Sequence, residues 1–353
     1  MKKIKLLYIS GYSNLWAKNA NLTNVLYMTD ALSQRCKYAK LVLFVPLKQL
    51  GNIKGHLKKI DPELDVDVLS IPYINIKGIY LLFDLISVSI SIWYSLKGYT
   101  IYTRNCRFAR FFYFFRSSIN IEIHDFSAST KKCVSICRKS NFFVISNSLK
   151  KELHRNAAGR RSVLLPDAAK LSASEFLPEY KDDIVYVGSD NPGKGVRQIS
   201  RLAEVMPHRR FIVVGHVKDK FERNNVIFLG HRQKAFVAAI LRSARLLIAP
   251  YEKKVGDNAG NDITKYMSPL KLFEYMASEK PFIISRSEFS EEIVTEDVHC
   301  LMAEAENIEE WVHKIDLMYE SQDLSEQLAR NAFRLYNEFY TWEKRALTVL
   351  NQI

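Results

Sequence analysis

Short apolar runs alternate along the chain with stretches whose apolar positions recur at three and four residues. Residues 5–10 (Lys-Leu-Leu-Tyr-Ile-Ser) form a run that stops at Gly11, and a polar loop extends through Asn21. Residues 22–35 then carry helical spacing, and Leu41-Val42-Leu43-Phe44-Val45 is a second apolar run. This strand–helix–strand opening predicts a parallel sheet covered by helices. The pattern continues with a strand at 120–123, a strand–helix pair over 141–156 whose helix starts at Ser146-Asn147-Ser148, and a short strand at 162–165. A polar, aperiodic segment containing Pro178 follows, and at Asp183 the pattern restarts. Strands are expected at 183–187, 211–215, 226–230, 246–250 and 282–285, separated by helical runs. Residues 308–353 read as helices, the last opened by Trp342. At 353 residues the chain is too long for one ordinary core and suits two domains, 1–168 and 169–341. The fold class is α/β, with two Rossmann-like, doubly wound parallel-sheet domains.

Two windows depart from this rhythm. Residues 79–96 are the most apolar stretch, long enough on count to cross a bilayer. Asp84, Ser87, Ser91 and Ser95 nevertheless fall on one helical face, and a helix packed into the first domain accounts better for that stripe than a lipid-surrounded span; a membrane-lying helix ranks second. Residues 104–116 interleave Arg104, Arg107, Arg110 and Arg116 with Phe108, Phe111, Phe112, Tyr113, Phe114 and Phe115. The arginines form a basic ridge beside an aromatic face. That ridge fits either a solvated core helix or an interfacial membrane anchor. Stacking on nucleic acid ranks lower, because the aromatics are contiguous rather than spread over a sheet.

Charge sharpens the picture more than composition does. Residues 1–165 hold 26 Lys and Arg against 9 Asp and Glu, a balance of +17, whereas residues 166–353 balance at −4. A half that keeps all the excess positive charge is suited to a polyanion such as a membrane surface, a phospholipid-linked substrate or nucleic acid. Five scattered cysteines argue for a reducing compartment, and no His/Cys spacing suggests a metal site. The opening Met1-Lys2-Lys3-Ile4-Lys5 reads as the approach to a first strand rather than as a secretory leader.

Candidate chemistry gathers at the ends of predicted strands. In Tyr266-Met267-Ser268-Pro269-Leu270-Lys271-Leu272-Phe273-Glu274, Ser268 is placed to cap a helix and Pro269 to occupy its first position. Lys271 and Glu274 share a face near the positive end of that helix, where an anion is favoured. The loop Gly188-Ser189-Asp190-Asn191-Pro192-Gly193-Lys194-Gly195 leads from a strand into a helix and can hold a diphosphate through backbone amides and Lys194. It lacks the spacing of a Walker loop. Glu122, His124 and Asp125 close another strand, and Gly11-Tyr12 ends the first, where ligands of open sheets bind. The polar 251–265 loop, with Asp257, Asn258, Gly260 and Asp262, is long enough to cover a site.

The run Ser268-Pro269-Leu270-Lys271-Leu272-Phe273-Glu274-Tyr275-Met276-Ala277, followed by Lys280-Pro281-Phe282-Ile283-Ile284-Ser285, resembles the donor-site signature of GT-B glycosyltransferases. The likeness is greatest to the large family 4 and its relatives in bacterial polysaccharide assembly. The resemblance implies two such domains facing a cleft, with the last helix, about 342–353, crossing back to the first. It also implies that the helix start receives a nucleotide diphosphate and that Glu274 holds the ribose. Gly188, Ser189 and Lys194 stand in the family's Gly-Arg-x-x-x-x-Lys-Gly element, and Glu122, His124 and Asp125 in its Glu-x-His-Asp element near donor sugar and acceptor. Three positions depart from the pattern: Ser189 replaces an arginine, Tyr266 an earlier glutamate, and Glu279 a glycine.

The expected activity is transfer of a sugar from a UDP- or GDP-linked donor to a lipid-linked or polysaccharide acceptor, as in lipopolysaccharide or capsule assembly. The protein is expected to be peripheral on the inner face of the cytoplasmic membrane, in contact with its anionic surface. His124 and Asp125 are the candidate catalytic pair, Gly11, Tyr12 and Glu122 line the acceptor side, and the four arginines face the membrane. No metal or cofactor is expected, because Lys271 and Lys194 can neutralise the leaving diphosphate. Each contributes on the order of 1–4 kcal/mol at about 4 Å in partly wet surroundings. Retention, with the departing phosphate taking the acceptor's proton, is the expected course, as in the retaining relatives. Competing readings are an inverting transferase that needs Asp125 or His124 as base, an epimerase on the same scaffold, an acceptor that is an anionic sugar polymer, and a non-enzymatic nucleic-acid-binding protein. The conjunction of Lys194 with the Lys271/Glu274 helix argues against the last, so no nucleic-acid partner is expected.

Overall fold

The computed structural model describes residues 2–12, 20–73, 80–256 and 262–353, and divides the chain into two compact units. The first contains Met1–Pro166 and Trp342–Ile353, the second Asp167–Thr341.

Seven parallel strands make the first sheet: β1 (Lys2–Tyr12), β2 (Cys36–Pro46), β3 (Val68–Tyr73), β4 (Tyr99–Thr103), β5 (Asn120–Ile123), β6 (Asn141–Val144) and β7 (Ser162–Leu164). Their order is β3-β2-β1-β4-β5-β6-β7. In the second unit β8 (Ile184–Val187), β9 (Phe211–Val214), β10 (Val226–Gly230), β11 (Leu246–Ala249), β12 (Phe282–Ser285) and β13 (Leu301–Ala303) are arranged β10-β9-β8-β11-β12-β13. Both orders reverse direction beside their first strand, between β1 and β4 and between β8 and β11. Ligands of doubly wound sheets bind at such a crevice, beyond the carboxyl ends of the strands. The central strands are covered on both faces, so Leu41–Val45, Phe211–Val214, Leu246–Ala249 and Phe282–Ile284 are wholly buried apolar runs without alternation.

The final helix, Trp342–Leu350, completes the first unit. Trp342 stacks on Tyr27 with ring centroids 5.8 Å apart. Arg345, itself buried, reaches Glu122 at the end of β5: Nη2 donates to Oε1 at 2.9 Å and Nη1 to Oε2 at 3.2 Å. Arg345 Nε also donates to the Pro166 carbonyl at 2.8 Å.

The helix Tyr80–Leu96 holds its polar stripe inward: Asp84, Ser87 and Ser91 are buried beside Val88. Asp84 forms an ion pair with Arg107 on the neighbouring helix Cys106–Tyr113, which supplies a counter-charge that is not apparent from the spacing of the two segments. Among the described residues no helix is long and apolar enough to cross a membrane.

The helix Leu270–Ala277 ends on a strained residue. Glu279 has φ +57°, the left-handed conformation that follows many helices and favours glycine. That geometry gives a physical reason for the glycine the resembled pattern carries there. Glu279→Gly should therefore raise the unfolding free energy by about 0.5–1 kcal/mol, measured by urea denaturation; an unchanged or lower midpoint would show that strain is not relieved. Arg345→Leu should cost about 3–5 kcal/mol by leaving Glu122 buried without its partner. A wild-type midpoint for that variant would mean that the carboxylate does not depend on Arg345.

Candidate functional site

In the second unit, the site is built from three segments at the β8/β11 crevice: the loop after β8, the turn after β11 and the start of helix Leu270–Ala277. Tyr186, the penultimate residue of β8, sets the first. Its hydroxyl lies 3.0 Å from the Ser189 carbonyl and 2.9 Å from that of Lys194, so one phenol holds both ends of the loop. Gly195 enters the next helix at φ +106°, and a Cβ there would come within 2.4 Å of the Pro250 carbonyl oxygen. Gly188 is required for a different reason: its Cβ would meet the Tyr186 hydroxyl at 2.6 Å and Lys271 Nζ at 3.0 Å. Tyr275 ties the segments together, donating to the Ile248 carbonyl at 2.9 Å and accepting from Val187 N–H at 3.2 Å.

Lys271 is the centre of this arrangement. Its ammonium is buried, lies 3.7 Å from the Tyr186 ring centroid and 4.8 Å from that of Tyr251, and has no hydrogen-bond partner among the described residues. Lys194 Nζ approaches the same Tyr251 ring at 5.6 Å and Met267 Sδ at 3.8 Å, so the two cations converge on one aromatic side chain. Desolvation pushes the Lys271 amine well below its usual 10.5, Lys194 lowers it further, and Glu274 partly opposes both. Burial also lowers Lys194. Glu274 stays partly accessible; desolvation raises its carboxyl, against the pull of Lys234 and Lys271.

The helix start differs from the predicted one. Ser268 does not cap it, because its Oγ accepts from the Asp167 backbone N–H at 3.1 Å. Pro269 holds the cap position in place of the first helical one and makes no side-chain cap hydrogen bond to the amides beginning at Leu270, of which Leu272 N–H donates to the Pro269 carbonyl at 2.9 Å. The end of the helix therefore keeps uncapped donors beside Lys271. Ser189 adds no cation to the loop, its carbonyl being fastened by Tyr186.

In the first unit, His124 and Asp125 follow β5. Asp125 is exposed, but its Oδ1 accepts from Ser127 N–H at 2.8 Å and from Thr130 Oγ1 at 2.9 Å, fixing the entry to helix Ala128–Ile136. Burial would raise its carboxyl; these hydrogen bonds and the His124 charge hold it below the usual value. Glu122 does not line an open surface: it is 2% exposed, with oxygens taken by Arg345, His124 Nε2 and the Tyr102 hydroxyl. Burial would raise this carboxyl too, yet Arg345, Arg104 and His124 hold it well below the usual range. Glu122 thus lies beneath His124 and orients it. The predicted basic ridge is divided. Arg104 turns inward, its Nε 3.7 Å from Glu122, Arg107 pairs with Asp84, Arg110 is half-buried, and Arg116 alone is fully exposed. Gly11 and Tyr12 end β1, where Gly11 pairs with Leu43, but Tyr12's side chain is outside the described residues. So are Asp257, Asn258 and Gly260 of the predicted covering loop; Asp262 accepts from Thr264.

Comparison with known proteins agrees with this fold. Residues 167–335 match the family described as Glycosyl transferases group 1. HepE (Alr3699) of Anabaena in complex with UDP is similar over 99% of both chains, with 14% identity and a TM-score of 0.69. Residues 167–335 belong to that glycosyltransferase family, and the chain as a whole has the GT-B fold. Sucrose-phosphate synthase (tll1590) of Thermosynechococcus elongatus shares the fold over 98% of each of the two chains, with 14% identity and a TM-score of 0.69. A TarM mutant of S. aureus in complex with Fondaparinux, alpha-GlcNAc-glycerol and UDP does so over 99% of both, at 11% and 0.68. No curated protein matches the sequence.

In this GT-B chain, Tyr186, Tyr251, Tyr275 and Arg345 were not legible as site residues. Strand and helix aromatics read as core, and nothing near Arg345 in sequence points to Glu122.

Lys271 generates a prediction with a definite sign. Between its lowered folded value and about 10.4, the unfolded chain binds more protons, so this group's stability contribution is complete above about pH 10.4 and is lost as pH falls through the folded value. Lys271→Met should flatten that dependence and raise the melting temperature near neutral pH. It should also weaken UDP binding about 5- to 900-fold, by loss of about 1–4 kcal/mol. Thermal melts from pH 6 to 10 with and without UDP check both; a variant that melts lower and binds UDP normally would contradict them.

Proposed function

We propose that the second unit binds a nucleotide sugar, with its diphosphate between the Gly188–Gly195 loop and the start of helix Leu270–Ala277. The convergence of Lys194 and Lys271 on Tyr251 carries this reading. As the bond to the sugar breaks, negative charge grows on the leaving diphosphate. Two ammonium groups and uncapped amides already in place stabilise it without reorganising. Pro269 and Leu270 set the backbone of the helix start, and Ser268 joins it to Asp167. Glu274, one turn in and partly accessible, is suited to accept hydrogen bonds from ribose hydroxyls.

The acceptor is a lipid-linked or polysaccharide glycan, met by the first unit at the cytoplasmic face of an anionic membrane. The balance of +17 over residues 1–165 supports this, since each Lys or Arg near an anionic bilayer is worth about 1 kcal/mol. His124 and Asp125 stand on the acceptor side. The depressed Asp125 carboxyl is a weak base, which favours retention with the departing phosphate receiving the acceptor's proton. The Glu122–His124 pair favours the second reading, inversion with His124 as base. The anomeric configuration of the product, read by NMR, separates the two. UDP is the first donor nucleotide to test, because it occupies the HepE and TarM structures.

A thermal-shift panel of UDP- and GDP-linked sugars should show stabilisation by one nucleotide class. Glu274→Ala should weaken that nucleotide roughly tenfold or more, the loss of about 1.5–3 kcal/mol of charge-assisted hydrogen bonding. Equal binding by the variant would remove Glu274 from the ribose, and no shift with any nucleotide sugar would remove the donor site.

A further inference from the structure

The helix Tyr80–Leu96 is inverted relative to a surface helix of a water-soluble domain. Asp84, Ser87 and Ser91 are its buried residues, together with Val88. Leu82, Leu85, Trp93 and Leu96, spaced at three, eight and three residues, face outward with Leu81 beside them; Ser89 is the polar member of that stripe. Trp93 is 51% exposed and Leu96 73%. Just after the neighbouring helix Cys106–Tyr113, which packs on this one, Phe114 is 77% and Phe115 63% exposed. An ordinary surface helix shows the opposite arrangement, and a core helix leaves no such stripe uncovered.

The polar groups on the buried side are placed there deliberately. Asp84 is neutralised by Arg107, and the Ser87 hydroxyl returns to the Phe83 carbonyl at 2.8 Å. The helix docks through polar contacts and through Phe83, whose ring meets Phe44 and Tyr73 at 5.3 and 4.8 Å. Its largest outward side chains are thereby left to another medium. Lys97 lies over the Trp93 ring at 3.4 Å, and Arg116 and Lys139 are exposed at the far end of the neighbouring helix, where Lys139 N–H donates to the Tyr113 hydroxyl.

We propose that this face, Leu81, Leu82, Leu85, Trp93 and Leu96 with Phe114 and Phe115, is the surface through which the protein lies in the interface of an anionic bilayer. This rests on the membrane-face reading of the proposed function and gives it a location. The occupant is a lipid surface rather than a second copy of this chain, because a self-contact would press together two units of strong positive balance. A bilayer receives the leucines and phenylalanines into its outer acyl region and sets Trp93 at the headgroup level. Lys97, Arg116 and Lys139 then reach phosphates along apolar stems. The helix lies along the surface and does not span it.

Vesicles of phosphatidylglycerol and phosphatidylcholine test this with the full chain. Wild type should co-sediment at low salt, and the emission of Trp93 should shift to the blue, a change absent in Trp93→Phe. Leu85→Glu combined with Leu96→Glu, both at exposed positions, should reduce binding about tenfold or more. That variant should keep the wild-type melting temperature and nucleotide-induced shift. If it binds vesicles like wild type while wild type does bind, this face is wrong and membrane association stands. If wild type stays in the supernatant, the membrane reading itself fails. A wild-type dimer in sedimentation velocity that the double substitution dissociates would assign the face to self-association and overturn the proposal.

Discussion

Everything in the second unit turns on keeping a positive charge where water would otherwise compensate it. Lys271 is held by the packing of its own helix against β11 and β12, under two tyrosine rings, with no acceptor to satisfy it among the described residues. An isolated ammonium in such a place is costly, and its lowered proton affinity expresses that cost. Tyr186 fastens the loop, Tyr275 fastens β8 to β11, and Gly188 leaves room for the ammonium itself. An ammonium fixed there in advance would meet an anion without the reorganisation that water requires.

The first unit solves the opposite problem. It holds a buried negative charge, Glu122, and surrounds it with Arg345, Arg104, His124 and Tyr102. The result is a satisfied network whose accessible end is His124. Glu122 therefore acts on any substrate through the histidine it orients, while Arg345 acts through Glu122. Substitutions along that line are expected to be felt first as stability and only then as chemistry.

Apolar runs such as Leu41–Val45 and Leu246–Ala249 made both parallel sheets legible, because a strand buried on two faces has no competing pattern. Strands β3, β4 and β13 were not, being short or broken by polar residues and Pro72. Lys271, Glu274 and Lys194 were legible through their position relative to a helix start and a glycine loop. Ser268 misled because its hydroxyl is taken by Asp167, 101 residues earlier. Arg345 and Glu122 are 223 residues apart, and no local spacing encodes such a pair. For Tyr80–Leu96 the periodicity gave the polar stripe but could not say that this stripe meets the protein.

Arg345 belongs to the closing turns of the polypeptide, while the sheet it completes is made from the opening half. A ribosome therefore delivers the whole second unit before the guanidinium that pairs with Glu122. During synthesis Glu122 waits in the early sheet with Arg104, His124 and Tyr102 beside it but without the guanidinium that completes the network. Assembly of this enzyme is thus ordered by its own chain path: the later-made unit has every residue of its core first, and the earlier-made one is sealed last.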